Sequence, residues 1–83
     1  MALFMDVHTM SGPVGLSDVE QAHAADLRTQ ERYGVSYLRY WVDQEQGKIF
    51  CLVDAPDAEA AESVHREAHG LVADAIFAVA EGS

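Results

Sequence analysis

The pattern of hydrophobic and polar residues changes from a period of two to the helical period and back again along the chain. Period-two segments rich in aromatic and β-branched residues predict strands. The capping box of Ser17 and Glu20 and the N-cap Asp57 predict helix starts, and Gly34 and Gly70 predict their ends. The predicted elements are a strand at 3–8, a helix from Ser17 to about Tyr33, strands at 35–43 and 48–53, a helix at 58–69 and a strand at 75–79.

This order predicts one α+β domain of βαββαβ type over residues 1–83. Each helix returns the chain in the right-handed sense, which gives a four-stranded antiparallel sheet with both helices on one face. Residues 48–53 are the most continuously apolar segment, and we expect them to form a central strand. We expect the first helix to face the sheet with the stripe Leu16, Val19, His23, Leu27 and Gln30, and the second with Ala60, Ala61, Val64 and Ala68.

Such a sheet leaves its second face uncovered, and large apolar residues are available to line it. A chain of 83 residues with one cysteine, Cys51, has no internal disulfide, and the apolar run around Cys51 predicts a buried, inert thiol. We therefore expect dimerisation through the sheet or its edges. The residues expected to be covered by the partner are Phe4, Tyr40, Trp41, Phe50 and Leu52.

The charge of the chain limits its partners. Fourteen acidic residues against five basic ones give a formal net charge of −9, which repels phosphate backbones and anionic lipid and favours cations. No apolar stretch is long enough to span a bilayer, and the first residues do not have the pattern of a signal peptide. The expected partners exclude nucleic acid and membranes, and the expected location is the cytoplasm.

Two histidines provide the main chemical signal. His65 and His69 are four residues apart in the second predicted helix, a spacing at which two imidazoles can chelate one transition ion. Glu62 lies one turn earlier, close to His69 around the helix axis. The three side chains predict a partly exposed metal-binding strip at the helix edge. The spacing alone leaves open that these are ordinary exposed helix histidines.

Further candidate ligands lie outside this helix. Asp6 and His8 share one face of the first strand, and His23 lies in the first helix near Asp26. Each is also consistent with a purely structural role, as a polar strand end or as a histidine hydrogen-bonded to Asp26. Imidazole and carboxylate ligands suit Ni²⁺, Cu²⁺, Co²⁺ and Zn²⁺, and the donor chemistry does not choose among these ions.

Two segments carry a family resemblance. Residues 50–60 and 64–71, together with the strand at 4–8 and the Trp41-Val42 hairpin, resemble a family of small nickel-binding proteins with a ferredoxin-like fold. The resemblance implies a homodimer linked to nickel sequestration or buffering, without catalysis.

One alternative remains, a small dimeric α/β-barrel enzyme of isomerase or monooxygenase type acting on an organic substrate. It requires a pocket between sheet and helices lined by His8, Tyr37, Tyr40 and Trp41. A third possibility is an accessory domain that binds no ligand.

Overall fold

The computed structural model describes residues 2–82. The elements are β1 Ala2–Thr9, α1 Leu16–Thr29, a 3₁₀ helix Gln30–Tyr33, β2 Ser36–Asp43, β3 Lys48–Ala55, α2 Ala58–Ala68 and β4 Ala75–Ala78. The sheet order is β2-β3-β1-β4, and every neighbouring pair is antiparallel, so the apolar strand β3 lies in the interior of the sheet as predicted. The two helices contact each other, and this arrangement of four strands and two helices confirms the predicted ferredoxin-like α+β fold.

The first helix begins differently from the prediction. Its N-cap is Gly15, which is extended and makes no side-chain capping bond, so the capping box predicted at Ser17 is wrong. The Gly15 carbonyl accepts the first backbone bonds, from the amides of Asp18 and Val19. The 3₁₀ helix follows α1 directly and ends at Gly34. The φ of Gly34 is 66°, the left-handed conformation expected there.

The second helix begins as predicted. The Asp57 side chain accepts from the Ala60 amide at 2.8 Å, which satisfies one of the free amides of the first turn. The helix ends at Ala68, one residue before the predicted end, with His69 as its C-cap. None of the helices among residues 2–82 has the length and apolar character needed to cross a membrane.

The core lies between the helices and the inner face of the sheet. Ile49, Cys51, Val53 and Ala55 alternate inward along β3, as period two requires, and Ala61 and Val64 of α2 cover them. The buried Cys51 confirms the expectation for the thiol.

The stripe predicted for α1 is wrong at two positions. Leu16 and Leu27 are 49% and 46% exposed, whereas Val19 and Asp26 are buried. A carboxylate thus occupies a core-facing position of this helix, since Asp26 pairs with the buried His65 of α2 and with His69 at the C-cap of that helix.

The outer face of the sheet is largely apolar. Trp41 pairs with Phe50, Phe50 with Val7 and Val7 with Ala75. In the next such row Leu52 pairs with Met5, and Met5 with Phe77. Trp41 and Phe77 are 48% and 55% exposed.

Two residues expected on this face, Phe4 and Tyr40, instead pack against the core. Phe4 shares the inward parity of Asp6, and the register shift between Tyr37 and Arg39 turns Tyr40 inward.

Candidate metal centre

A buried group of polar side chains lies between the sheet and α2. Asp6 and His8 point inward from β1, Cys51 from β3 and His65 from α2, and one donor atom of each lies within 4.8 Å of all the others. Asp6 and His65 are each 1% exposed, and His8 is 5% exposed. Together with Asp26 and His69, these residues form what we call the polar cluster. Four separate elements, β1, β3, α1 and α2, supply imidazole, carboxylate and thiol groups to one place in the core.

His65 is held by a carboxylate at each ring nitrogen. Its Nδ1 lies 2.9 Å from Asp26 Oδ1, and its Nε2 lies 2.9 Å from Asp6 Oδ2. Burial by itself would lower the pKa of His65, but the hydrogen bonds and charges of Asp26 and Asp6 outweigh it and raise the pKa to about 9. Without a metal, His65 is therefore an imidazolium that donates to both carboxylates.

The two carboxylates are ionised for the same reason. Burial would raise the pKa of Asp6, but the hydrogen bond from His65 and the imidazole of His8 at 3.3 Å hold it well below its usual value. The hydrogen bond from His65 and the imidazole of His69 at 3.0 Å likewise lower the pKa of Asp26 against the effect of burial. The buried charges are therefore paired, as a buried charge must be.

His69 is oriented by the backbone. The Leu71 amide donates to His69 Nδ1 at 3.1 Å, which places the proton of a neutral ring on Nε2. That nitrogen lies 3.0 Å from Asp26 Oδ1, although its direction falls outside hydrogen-bond geometry. Asp26 is the acceptor of the polar cluster that His69 approaches. His65 and His69 therefore meet at one carboxylate.

Two neutral groups complete the surroundings of Asp6. The Tyr37 hydroxyl lies 3.0 Å from Asp6 Oδ2 and 3.1 Å from the Ala61 carbonyl, so its single proton serves two acceptors. Burial, and then the charge of Asp6, raise the pKa of Tyr37 and of the Cys51 thiol far above their usual values. Both groups stay protonated in the metal-free protein.

Two buried atoms of the polar cluster have no hydrogen-bond partner among the described residues, the donor His69 Nε2 and the acceptor Asp6 Oδ1. His8 Nε2 lies 3.3 Å from it and 3.3 Å from His65 Nε2, at ion-pair distance but without hydrogen-bond geometry to Asp6. A carboxylate oxygen and two imidazole nitrogens therefore surround one point, and this donor set fits a divalent transition ion.

A second set of side chains also lies close enough to share an ion, namely Asp26, His65 and His69. This set fits a metal ion less well. The hydrogen bond from the Leu71 amide to His69 Nδ1 keeps the ring proton on Nε2, which is the nitrogen that would have to bind the metal. The first set is therefore the better candidate for a metal site.

The predicted ligands separate into three groups. Asp6, His8 and His65 come together, and His69 joins them only through Asp26. Glu62 belongs to neither set, and the His23 ring packs against Tyr40 with centroids 4.8 Å apart.

The exposed strip expected at the helix edge is wrong, because His65 is buried and turned toward the sheet. Sequence reasoning also missed Asp26, Cys51 and Tyr37 as members or neighbours of the site. The one available signal was a carboxylate in an otherwise alanine-rich stretch of α1.

A partly open cavity of about 210 Å³ adjoins the polar cluster, between α1, the sheet and the end of α2. His8 and Tyr40 line it, as the enzyme alternative requires, but Tyr37 and Trp41 do not. Tyr37 is buried against Asp6, and Trp41 lies on the outer face of the sheet.

Known proteins share the fold of this chain. The chain is similar to the protein in a solved structure, described as the crystal structure analysis of SCO4226 from Streptomyces coelicolor A3(2), with 38% sequence identity and a TM-score of 0.91. The similarity covers 99% of this chain and 100% of that chain. No curated protein matches the chain at a significant level. Residues 4–79 match the family described as nickel responsive protein SCO4226-like, and the chain therefore belongs to that family.

Proposed function

We propose that this protein binds a nickel ion in its core, with Asp6, His8 and His65 as ligands. The observation that carries the proposal is the buried, unpaired Asp6 Oδ1 beside the Nε2 atoms of two histidines. An unpaired buried acceptor costs about 1–3 kcal/mol, more for a charged group, and a cation at this point would satisfy it.

The hydrogen bonds around His65 suit a metal ligand. To bind an ion, His65 must release the Nε2 proton that it shares with Asp6, while its Nδ1 proton remains with Asp26. Metal-bound histidines usually donate their second ring nitrogen to a carboxylate in this way. Asp26 therefore positions His65, and His69 in turn supports Asp26.

The donor set limits the choice of ion. Imidazole and carboxylate groups accept Ni²⁺, Zn²⁺, Cu²⁺ and Co²⁺, and we propose nickel because the family is described as nickel responsive. Cys51 lies within the same group but would have to lose a proton that burial stabilises, so we do not count it as a ligand.

We infer that the protein sequesters or buffers nickel without catalysis. Burial of the proposed ligands suits retention of an ion, and membership of a nickel-responsive family does not favour the barrel-enzyme alternative. We further propose a cytoplasmic location, which is consistent with a lone reduced cysteine. We also propose that the protein has no nucleic-acid or membrane partner, which the net charge of −9 supports.

Calorimetric titration with Ni²⁺ tests the site. We expect saturable binding to the wild-type chain and a loss of at least about tenfold in affinity in His8→Gln and in Asp6→Asn. The matched controls are His23→Gln and Glu62→Gln, whose side chains lie outside the group and should leave the affinity within about twofold. Equal binding by wild type and His8→Gln, or loss in the Glu62→Gln control, would overturn the assignment.

We also propose that a second copy of the chain covers the outer face of the sheet, so that the protein is a homodimer. Its support is the continuous apolar row centred on Trp41 and Phe50, together with the small size of the chain. Sedimentation equilibrium should show a dimer that Trp41→Lys converts to monomer. The matched control is Leu27→Lys, an apolar residue of α1 with 46% exposure. A monomeric wild type, or a Trp41→Lys dimer, contradicts this part of the proposal.

A further inference from the structure

We propose that the cavity beside the polar cluster binds a small, mainly apolar organic molecule that carries a hydrogen-bond donor or a cationic group. The cavity lies under α1, with the inner face of the sheet as its floor and the end of α2 at one side. The proposal concerns the metal-free chain and does not depend on the nickel site.

The volume of the cavity sets the size of the ligand. At about 210 Å³ it exceeds the cavity of roughly 150 Å³ that accommodates benzene in another protein. It is smaller than the pockets of about 300–1,000 Å³ that hold drug-sized molecules. A single substituted aromatic ring matches this volume.

The walls of the cavity are mainly apolar. Tyr40 and His23 add two rings that pack together at 4.8 Å, so an aromatic body would find both aliphatic and aromatic surface. The aliphatic lining consists of Met10, Val14, Val19, Ala22, Ile49 and Leu71.

One end of the cavity is polar. Asp26, His65 and His69 line this end, and Asp6 lies directly behind His65. His65 lies between the two carboxylates, with His69 beside Asp26 and His8 beside Asp6, and the carboxylate oxygens make this end of the cavity an acceptor of hydrogen bonds. A ligand with a hydroxyl, N–H or ammonium group is attracted to this end, and a carboxylate or phosphate is repelled.

A ligand series of constant shape tests the charge preference. p-Cresol, toluene and p-toluate are titrated into the chelator-treated chain, with calorimetry and amide chemical shifts as readouts. We expect saturable p-cresol binding with a Kd on the order of 1 mM, weaker toluene binding and no p-toluate binding. Shift changes should centre on Ala22 and Val19. Absence of p-cresol binding, or p-toluate binding as tight as that of p-cresol, would overturn the proposal.

A matched pair of variants tests the location. Ala22→Leu places a larger side chain in the cavity and should weaken p-cresol binding by at least about tenfold. Ala24→Leu makes the same change in the same helix at a position that does not line the cavity, and should leave p-cresol binding within about twofold. The smaller change Ala22→Val serves if Ala22→Leu does not fold. Unchanged p-cresol binding in both folded Ala22 variants would place the ligand elsewhere.

A nickel titration of Ala22→Leu separates the two proposals. Nickel affinity equal to wild type together with lost p-cresol binding supports an organic-ligand site that nickel binding does not require. Conversely, p-cresol binding that persists in Asp6→Asn, whose side chain does not line the cavity, after nickel binding is lost leaves the cavity proposal standing while the metal assignment is tested on its own.

Discussion

The hydrogen bonds of His65 predict that the metal-free protein loses stability as the solution becomes alkaline. The pKa of His65 rises from its ordinary value of 6.5 to about 9 in the folded chain, so the folded state holds this proton more tightly than the unfolded state. The stabilisation is complete below about pH 6.5 and is lost as the pH rises through about 9. At about 1.4 kcal/mol for each tenfold difference in proton affinity, the full effect is about 3 kcal/mol.

Urea unfolding in the presence of a chelator measures this effect. Between about pH 6 and pH 8.5 we expect the free energy of unfolding to fall by about 2 kcal/mol, equivalent to about 10 °C in melting temperature. The interval ends there because the Cys51 thiol, protonated in the fold, begins to ionise in the unfolded chain near its usual pKa of about 8.5. Asp26→Asn should flatten the profile, whereas His23→Gln should leave its slope unchanged. A constant free energy over this interval, or an unaltered slope in Asp26→Asn, would refute the reasoning.

Three further outcomes follow from the same contacts. Nickel affinity, measured by calorimetry, should rise with pH up to about 9 by as much as tenfold per pH unit, because the ion displaces the Nε2 proton of His65. A nickel affinity that does not change with pH would exclude His65 as a ligand. Tyr37→Phe should lower the free energy of urea unfolding by about 1–2 kcal/mol, because the hydroxyl donates to buried acceptors, and an unchanged value would show that Asp6 does not need it. Gly47→Ala should destabilise the chain more than Gly34→Ala does: both have positive φ, at a cost of about 1–2 kcal/mol, but only at Gly47 does the added methyl collide with the Gly12 carbonyl. Equal melting temperatures in the two glycine variants would contradict this.

The fold was predictable because its signals are local. The period-two alternation along β3, the Asp57 cap and the glycines at 34 and 70 each act within a few residues, and the structure has an element boundary at each. The start of α1 was mispredicted because its cap is a backbone carbonyl and not the side-chain capping box. Gly15 caps α1 through its carbonyl, and the pattern at Ser17 offers no sign of this.

The faces of the elements were harder to predict than their ends. A register shift in β2 turns both Tyr37 and Tyr40 toward the helices, which strict alternation forbids. In α1 the apolar residues Leu16 and Leu27 stay exposed while Asp26 is buried. Hydrophobic periodicity assumes that buried positions are apolar, so it fails where a buried carboxylate is paired with a histidine from another element.

The histidine pair illustrates the limit of reasoning from spacing. Four residues in a helix do place His65 and His69 on one side of α2, with ring centroids 4.9 Å apart. What that side meets depends on α1, 39 positions from His65 in sequence, which contributes Asp26. The Asp26 carboxylate lies between the two rings, and it is approached by Nδ1 of His65 and by Nε2 of His69. His69 therefore supports Asp26, and of the two histidines only His65 turns its Nε2 toward Asp6 and His8. Chelation by the pair would require a ring nitrogen of His69 to be free for the ion, whereas the Leu71 amide occupies Nδ1 and Asp26 faces Nε2, so His69 keeps the orientation of a supporting residue.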